Sequence, residues 1–179
     1  MQSFKTVPSI FFMYLLLLST SFVKAQCDIY KSEINEVAIY MTTISQLVDS
    51  VRTTAEEAAF GANTVLARSN AKKVEILIGK ALSSAEDAVY MASESQYNSE
   101  KCGLTDVKSY TIDAESNTIN AHEYISEAYI NAKKALSAKN LGDISYYMRK
   151  YQANSKKAQQ AALDASYAAE LAHRSCTHM

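Results

Sequence analysis

Three cysteines carry the most reactive side chains of this chain, and their spacing limits the chemistry that they can do. Cys27, Cys102 and Cys176 are separated by 75 and 74 residues. No Cys-x-x-Cys pair occurs and the spacing matches no zinc pattern, so we expect neither a redox nor a metal role for these thiols. In an exported protein, cysteines form structural disulfides. The sequence therefore predicts a disulfide, either Cys27–Cys102 or Cys102–Cys176, and one thiol left free or available to a second chain.

The carboxylate and histidine side chains form no complete catalytic or metal-binding pattern. Di-iron four-helix bundles use two Glu-x-x-His motifs, whereas only Glu170 and His173 have that spacing here. His122 beside Glu123 matches half of a general acid–base pair, but a surface histidine is the simpler interpretation. The chain has no GxGxxG, P-loop, GxSxG or HExxH motif. We therefore expect no enzymatic activity, no catalytic or metal-binding residue and no cofactor.

A spacing of 77 residues relates the two halves of the chain. Six alanine identities count for little in an alanine-rich sequence, but Asn, Lys, Lys, Asp and Tyr also recur in the same register. The first copy contains Ala55, Ala58, Asn63, Lys73, Lys80, Ala81, Ala85, Asp87, Ala88, Tyr90 and Ala92. The second contains Ala132, Ala135, Asn140, Lys150, Lys157, Ala158, Ala162, Asp164, Ala165, Tyr167 and Ala169. A fixed period of this kind predicts a duplicated structural unit.

Opposite charges occupy one pair of equivalent positions in this register. Glu56 and Glu57 in the first half correspond to Lys133 and Lys134 in the second. Complementary charges can set the register of paired helices while adding little stability when they are exposed. We therefore predict that these four residues set the mutual register of the two halves or of two molecules.

The apolar pattern that must position these residues is helical throughout. Small or apolar residues recur at alternating spacings of three and four, strand alternation is absent, and alanine is the best helix former. The four runs are Ile34, Val37, Met41, Ile44, Val48, Val51, Ala55, Ala58; Ala67, Ala71, Val74, Ile78, Ala81, Ala85, Ala88, Ala92; Ala114, Thr118, Ala121, Ile125, Ala128, Ala132, Ala135; and Ile144, Met148, Tyr151, Ser155, Ala158, Ala162, Ala165, Ala169, Ala172. The pattern predicts an all-α, up-down-up-down four-helix bundle of helices about 33 residues long.

Turn residues divide these helices. The segments 61–64, 102–106 and 140–143 contain the glycine and capping residues that end one helix and begin the next. Gly61 suits a left-handed position, Asn63 or Thr64 suits an N-cap, and Asp28 can cap the first helix. A first turn near Ser69 and Asn70 is the alternative. This topology places all three cysteines at one end of the bundle.

The first 25 residues have the three parts of a signal peptide. Lys5 precedes an apolar segment at 10–18, and Val23-Lys24-Ala25 offers small residues for cleavage before Gln26. The apolar segment is about half the length that a membrane anchor needs, so no membrane insertion of the mature chain is expected. We predict a signal peptide at 1–25 and a bundle at 26–179, with hairpins at about 28–101 and about 105–176, secreted or periplasmic.

The absence of catalytic motifs, the long apolar runs suited to helix partners and the spare thiol favour an interaction role, and the charge excludes one class of partner. Removal of Lys5 and Lys24 changes the formal charge from −1 to −3, which gives no electrostatic basis for nucleic-acid binding. We predict a structural or protein-interaction module with a protein partner or self-association, a domain-swapped dimer included. The alternatives are a small-ligand or metal-binding bundle and an extracytoplasmic holdase-like chaperone. The tyrosines should pack beside the seams with their hydroxyls at the surface.

Overall fold

The computed structural model describes residues 7–104 and 107–177, and the side chains of 24–104 and 107–176. Within these ranges the chain is all-α, as predicted, and no strand occurs. The helices are α1 (Val7–Ser50), α2 (Arg52–Ala59), α3 (Thr64–Lys101), α4 (Lys108–Ser137) and α5 (Leu141–Thr177). The part of the predicted signal peptide before Val7 lies outside the described residues, as do Thr105 and Asp106 of the predicted turn segment 102–106. Asp28 lies inside α1, because the apolar segment before it is itself helical.

Four long helices pack together in an arrangement consistent with a four-helix bundle. Helix α3 packs against α1 and α4, and α5 packs against the same two helices. Helix α2 follows α1 and packs against α3 and α5. Helices α3 and α5 therefore occupy opposite corners. In the described ranges no helix has an apolar stretch long enough to cross a membrane.

A short irregularity at Val51 separates α1 from α2, where the sequence predicted one uninterrupted helix. Val51 keeps right-handed dihedral angles, φ −87° and ψ −13°. The Ser50 hydroxyl donates to the carbonyl of Leu47 at 2.7 Å, a local side-chain bond of the type that bends helices. The two segments consequently form one nearly continuous corner of the bundle.

Every residue of the four predicted apolar runs is buried, so the helical period identified the core. Most of these residues are alanine, which lets helices approach closely but removes little apolar area. Bulky side chains are concentrated in α1 and at a few places elsewhere, and the largest fully buried ones are Tyr30 and Tyr151. The expectation that tyrosine hydroxyls reach the surface is wrong for these two, because the narrow alanine seams leave no route outward.

Two asparagines at equivalent positions of the 77-residue register begin α3 and α5 in the same way. The Asn63 side chain accepts a hydrogen bond from the Leu66 amide at 2.9 Å. The Asn140 side chain accepts one from the Asp143 amide at 2.8 Å. The first turn therefore lies at 60–63 and not at 69–70, where Asn70 is buried within α3.

Gly61, which the sequence predicted to adopt a left-handed backbone conformation, does not adopt it. Among the described residues, the glycine with positive φ is Gly103, at 68°, after the end of α3. Gly61 has a steric role instead, because a Cβ there would lie 3.1 Å from the Ala67 Cβ and from the Glu57 carbonyl oxygen. The α2–α3 turn thus needs glycine for close approach rather than for backbone conformation.

Candidate interaction surface

The three cysteines meet at one end of the bundle around the buried Tyr30. Cys102 lies near Cys27, and burial, followed by the neighbouring Cys27 thiol, raises the pKa of Cys102 to about 12. Cys176 is buried and its Sγ donates to the Ala172 carbonyl at 3.1 Å, and burial raises its pKa. All three are free thiols in the structure. The arrangement places Cys102 next to Cys27 and leaves Cys176 inside the bundle, so the predicted pairing remains a prediction.

Tyr30 is the centre of this end. Its side chain is fully buried, and its hydroxyl lies 2.8 Å from the Thr111 hydroxyl. Burial raises the pKa of Tyr30 far above its usual range, and the Thr111 hydrogen bond opposes part of that effect. The environment keeps Tyr30 neutral, which suits packing rather than proton transfer at ordinary pH.

The other titratable groups near this end form separate pairs. Asn98 donates to Glu33 at 2.8 Å, and burial raises the pKa of Glu33. The Nδ1 atom of His173 lies 3.2 Å from the Lys31 carbonyl, and Glu170 pairs with Arg174 at 2.9 Å. In the part of the chain that the structure describes, no group of three His, Cys, Asp or Glu side chains could hold a metal ion.

The structure does not bring together the four charges predicted to set the register. Glu56 and Glu57 lie on α2, which packs against α3 and α5, whereas Lys133 and Lys134 lie on α4. Glu57 accepts from the Asn70 amide at 3.2 Å, and Lys133 lies 5.0 Å from the Tyr129 ring. No ion pair joins the two sets within residues 24–104 and 107–176. Their role between molecules stays a prediction.

A cavity of about 470 Å³, lined by both polar and apolar side chains, lies between the α1–α2 junction and α5. Its walls include Arg52, Glu56, Phe60, Tyr151 and Lys156. The Tyr151 hydroxyl is buried and has no hydrogen-bond partner in the structure. Burial raises the pKa of Tyr151 to about 12, and the nearby Ser155 hydroxyl opposes that effect. The cavity therefore combines both charge signs with a wall that includes the buried Tyr151 side chain.

Exposed apolar side chains gather at the end opposite the cysteines. Phe60 is 69% exposed and Val65 is 80% exposed, on either side of the α2–α3 turn. Ser145, at the start of α5, donates to the Ala59 carbonyl at 2.6 Å, so the exposed Tyr146 belongs to the same end. Exposed apolar patches of this kind mark contact surfaces.

A second exposed feature is repeated on α3 and α5. The α3 surface set comprises Lys80, Asp87 and Tyr90, and the α5 surface set comprises Lys157, Asp164 and Tyr167. All six residues are exposed, and the two tyrosines are 65% and 66% exposed. The two sets occupy the same positions of the 77-residue register, on helices at opposite corners of the bundle.

The sequence showed these identities but not their common placement. Lys80 and Asp87 are one heptad apart, as are Lys157 and Asp164, and Tyr90 and Tyr167 follow three residues later. At 100° per residue these positions lie on the side opposite the alanine seam. A helical projection of the repeat could therefore have identified both sets as surface features.

No protein-family model, curated protein or solved structure matches the chain.

Proposed function

We propose that this protein is an exported, non-enzymatic helical bundle that acts as a protein-interaction or structural module. In this proposal the bundle is an up-down-up-down pair of duplicated hairpins, released after cleavage of residues 1–25. The observation that carries the proposal is the pair of matching surface sets on α3 and α5. Hydrogen bonds from Asn98 to Glu33 at one end and from Arg68 to the Ala138 carbonyl at the other support the topology.

The matching sets matter because folding does not require them. The alanine identities of the repeat lie in the seam, where close packing explains them. The six residues of the surface sets are exposed, and most exposed substitutions change the free energy of unfolding by less than about 0.5 kcal/mol. Identity at such positions in both halves is explained by a surface that each half presents to a partner.

Photo-crosslinking in the cells that make the protein tests this proposal. A benzophenone amino acid replaces Tyr90 in one variant, Tyr167 in a second and Tyr110, an exposed tyrosine outside both sets, in a control. We expect discrete adducts from the first two positions and none from Tyr110. Equal labelling at all three positions, or no adduct at any, would remove the proposal.

The cavity beside Tyr151 favours a second candidate function, the binding of a small polar ligand. An unsatisfied buried hydroxyl is costly unless a water or ligand atom bonds to it. Native mass spectrometry of the protein purified from its own cells, against a Tyr151→Phe variant prepared in parallel, tests this candidate. A bound small molecule present in the first sample and absent from the variant would support it, whereas an identical bare mass in both would reject it.

A further inference from the structure

We propose that the partner of these surfaces is a second copy of the same chain, and that each chain docks through two faces to build an open-ended row. The inference rests on the proposed function and identifies the protein partner that the proposed function leaves open. The two docking faces are the α3 surface set and the α5 surface set defined above.

The charges of each surface set are complementary to those of a second copy of the same set. Each set has a lysine one heptad before an aspartate, about 10.5 Å apart along the helix. When two such faces align antiparallel, each lysine faces the aspartate of the other copy. Lys80 then faces Asp87 of a second copy, and Asp87 faces Lys80 of that copy. A parallel alignment would instead place like charges together, so the pattern selects antiparallel docking.

Within its own chain, the α3 surface set makes fewer side-chain contacts than the α5 surface set. Neither Lys80 nor Asp87 forms a hydrogen bond or ion pair inside the described ranges. On α5, Lys157 lies 5.3 Å from the Tyr124 ring and Asp164 accepts from Gln160 at 2.9 Å. Docking through α3 therefore breaks fewer existing contacts.

The exposed apolar residues near the two surface sets also favour docking through α3. Three exposed apolar or aromatic residues lie along the same side of α3, fourteen and then seven residues apart: Ile76, Tyr90 and Tyr97. The equivalent α5 positions hold Ala153, Tyr167 and Arg174. Because buried apolar area adds to association, we expect the α3 face to pair with the α3 face of a second copy first, and the α5 face to join these pairs more weakly.

The position of the two helices then sets the form of the assembly. Helices α3 and α5 each pack against α1 and α4 and so occupy opposite corners. Two docking faces on opposite sides of one molecule leave one face free after each step. Such contacts extend into a row rather than closing as a dimer.

Sedimentation velocity on the purified chain tests the inference, with reductant present so that no intermolecular disulfide contributes. Samples span low micromolar to near-millimolar concentrations at low and high salt. We expect dimers and then longer species as the concentration rises, and weaker association at high salt because the contacts are charged. A chain that stays monomeric throughout at low salt overturns the inference.

Charge variants locate the faces. Asp87→Lys places like charges together at the α3 face and should weaken dimer formation by about tenfold or more. Glu123→Lys changes an exposed acidic residue of α4 by the same amount of charge and should leave association unchanged. The double variant Asp87→Lys, Asp164→Lys should be monomeric. Equal effects of Asp87→Lys and Glu123→Lys would overturn the proposal.

The double swap Lys80→Asp, Asp87→Lys distinguishes which faces meet. It restores the complementary pattern between two α3 faces, but opposes like charges when α3 meets an unmodified α5 face. Recovery of dimers supports the α3–α3 contact, and failure to recover them rejects it. Adducts to a different protein together with a monomeric chain would leave the proposed function standing and remove self-association, whereas neither adducts nor association would remove both.

Discussion

The Tyr30 hydroxyl lies 2.8 Å from the Thr111 hydroxyl, and this hydrogen bond joins α1 to α4 across the bundle. The Thr111 hydroxyl also donates to the Val107 carbonyl at 3.1 Å, within α4's own first turn. These two helices make little other contact, because α3 and α5 lie between them. One buried phenol therefore links opposite corners at the cysteine end.

Tyr30→Phe should lower the free energy of unfolding by about 1 kcal/mol, because the change removes the buried hydrogen bond between the Tyr30 and Thr111 hydroxyls. Urea unfolding at neutral pH, followed by helical circular dichroism, measures the difference. Thr111→Val in the same background should add little further loss, since the bond is already absent. An additive loss in the double variant would contradict the assignment of this hydrogen bond.

Tyr151→Phe should behave differently at the same level of burial. The Tyr151 hydroxyl has no partner, so its removal relieves the cost of a buried unsatisfied group. We expect the free energy of unfolding to stay the same or to rise by up to about 1 kcal/mol. Tyr30→Phe serves as the matched control, and a loss of equal size in both variants would show that Tyr151 also has a partner in solution.

Alkaline pH should destabilise the fold in a defined window. Burial raises the pKa of Cys102 from near 9 to about 12 and that of Tyr151 from near 10 to about 12. Above pH 9 the unfolded chain releases these protons while the folded chain retains them, so stability falls as pH rises. Urea midpoints from pH 7 to 12 should be level to about pH 9 and then decline. Tyr151→Phe and Cys102→Ser should each flatten that decline, and an unchanged slope in both would contradict the burial effect.

The two capping asparagines should contribute equally. Asn63→Ala and Asn140→Ala each remove the acceptor for one amide at the start of a helix, which costs about 1 kcal/mol. Asn120→Ala, at an exposed position inside α4, is the control and should be neutral or slightly stabilising because alanine favours helix. Thermal unfolding of the three variants compares them, and a control loss as large as the other two would show that capping is not the cause.

Oxidation should link Cys27 to Cys102. Oxidised glutathione accepts the two thiol hydrogens as the Sγ–Sγ bond forms, and leaves as two reduced molecules. Peptide mapping should find the Cys27–Cys102 pair, with Cys176 alkylated only after unfolding because it is buried. The link should add about 4 kcal/mol to the free energy of unfolding, in the loop-closure model. Cys176→Ser should leave the map unchanged, and a Cys102–Cys176 peptide would overturn the pairing.

The helical period was sufficient to predict the core, since every residue of the four apolar runs is buried. The Asn63 cap could also be predicted from the sequence, because an N-cap side chain bonds to an amide only three residues further along the chain. The interruption at Val51, the glycine angle at Gly103 and the contrast between Tyr30 and Tyr151 were not readable. The contrast between the two tyrosines depends on contacts between segments far apart in sequence. The Ser50–Leu47 bond at the interruption is local, but a serine inside a helix does not always form such a bond. The surface sets were visible as identities, but their exposure became informative only with the helices in place.

The alanine seam has a consequence for the entropy of folding. Alanine has no side-chain dihedral angle to immobilise, whereas a buried leucine loses roughly 0.5–1 kcal/mol of rotamer freedom. A seam such as Ala81, Ala85, Ala88 and Ala92 therefore orders almost nothing beyond its backbone. The bundle gains less from each buried layer than a leucine core would, and it also loses less in forming that layer. Its successive layers are nearly interchangeable, so the few bulky side chains, Tyr30 and Met148 among them, must fix how far each helix slides along its neighbours.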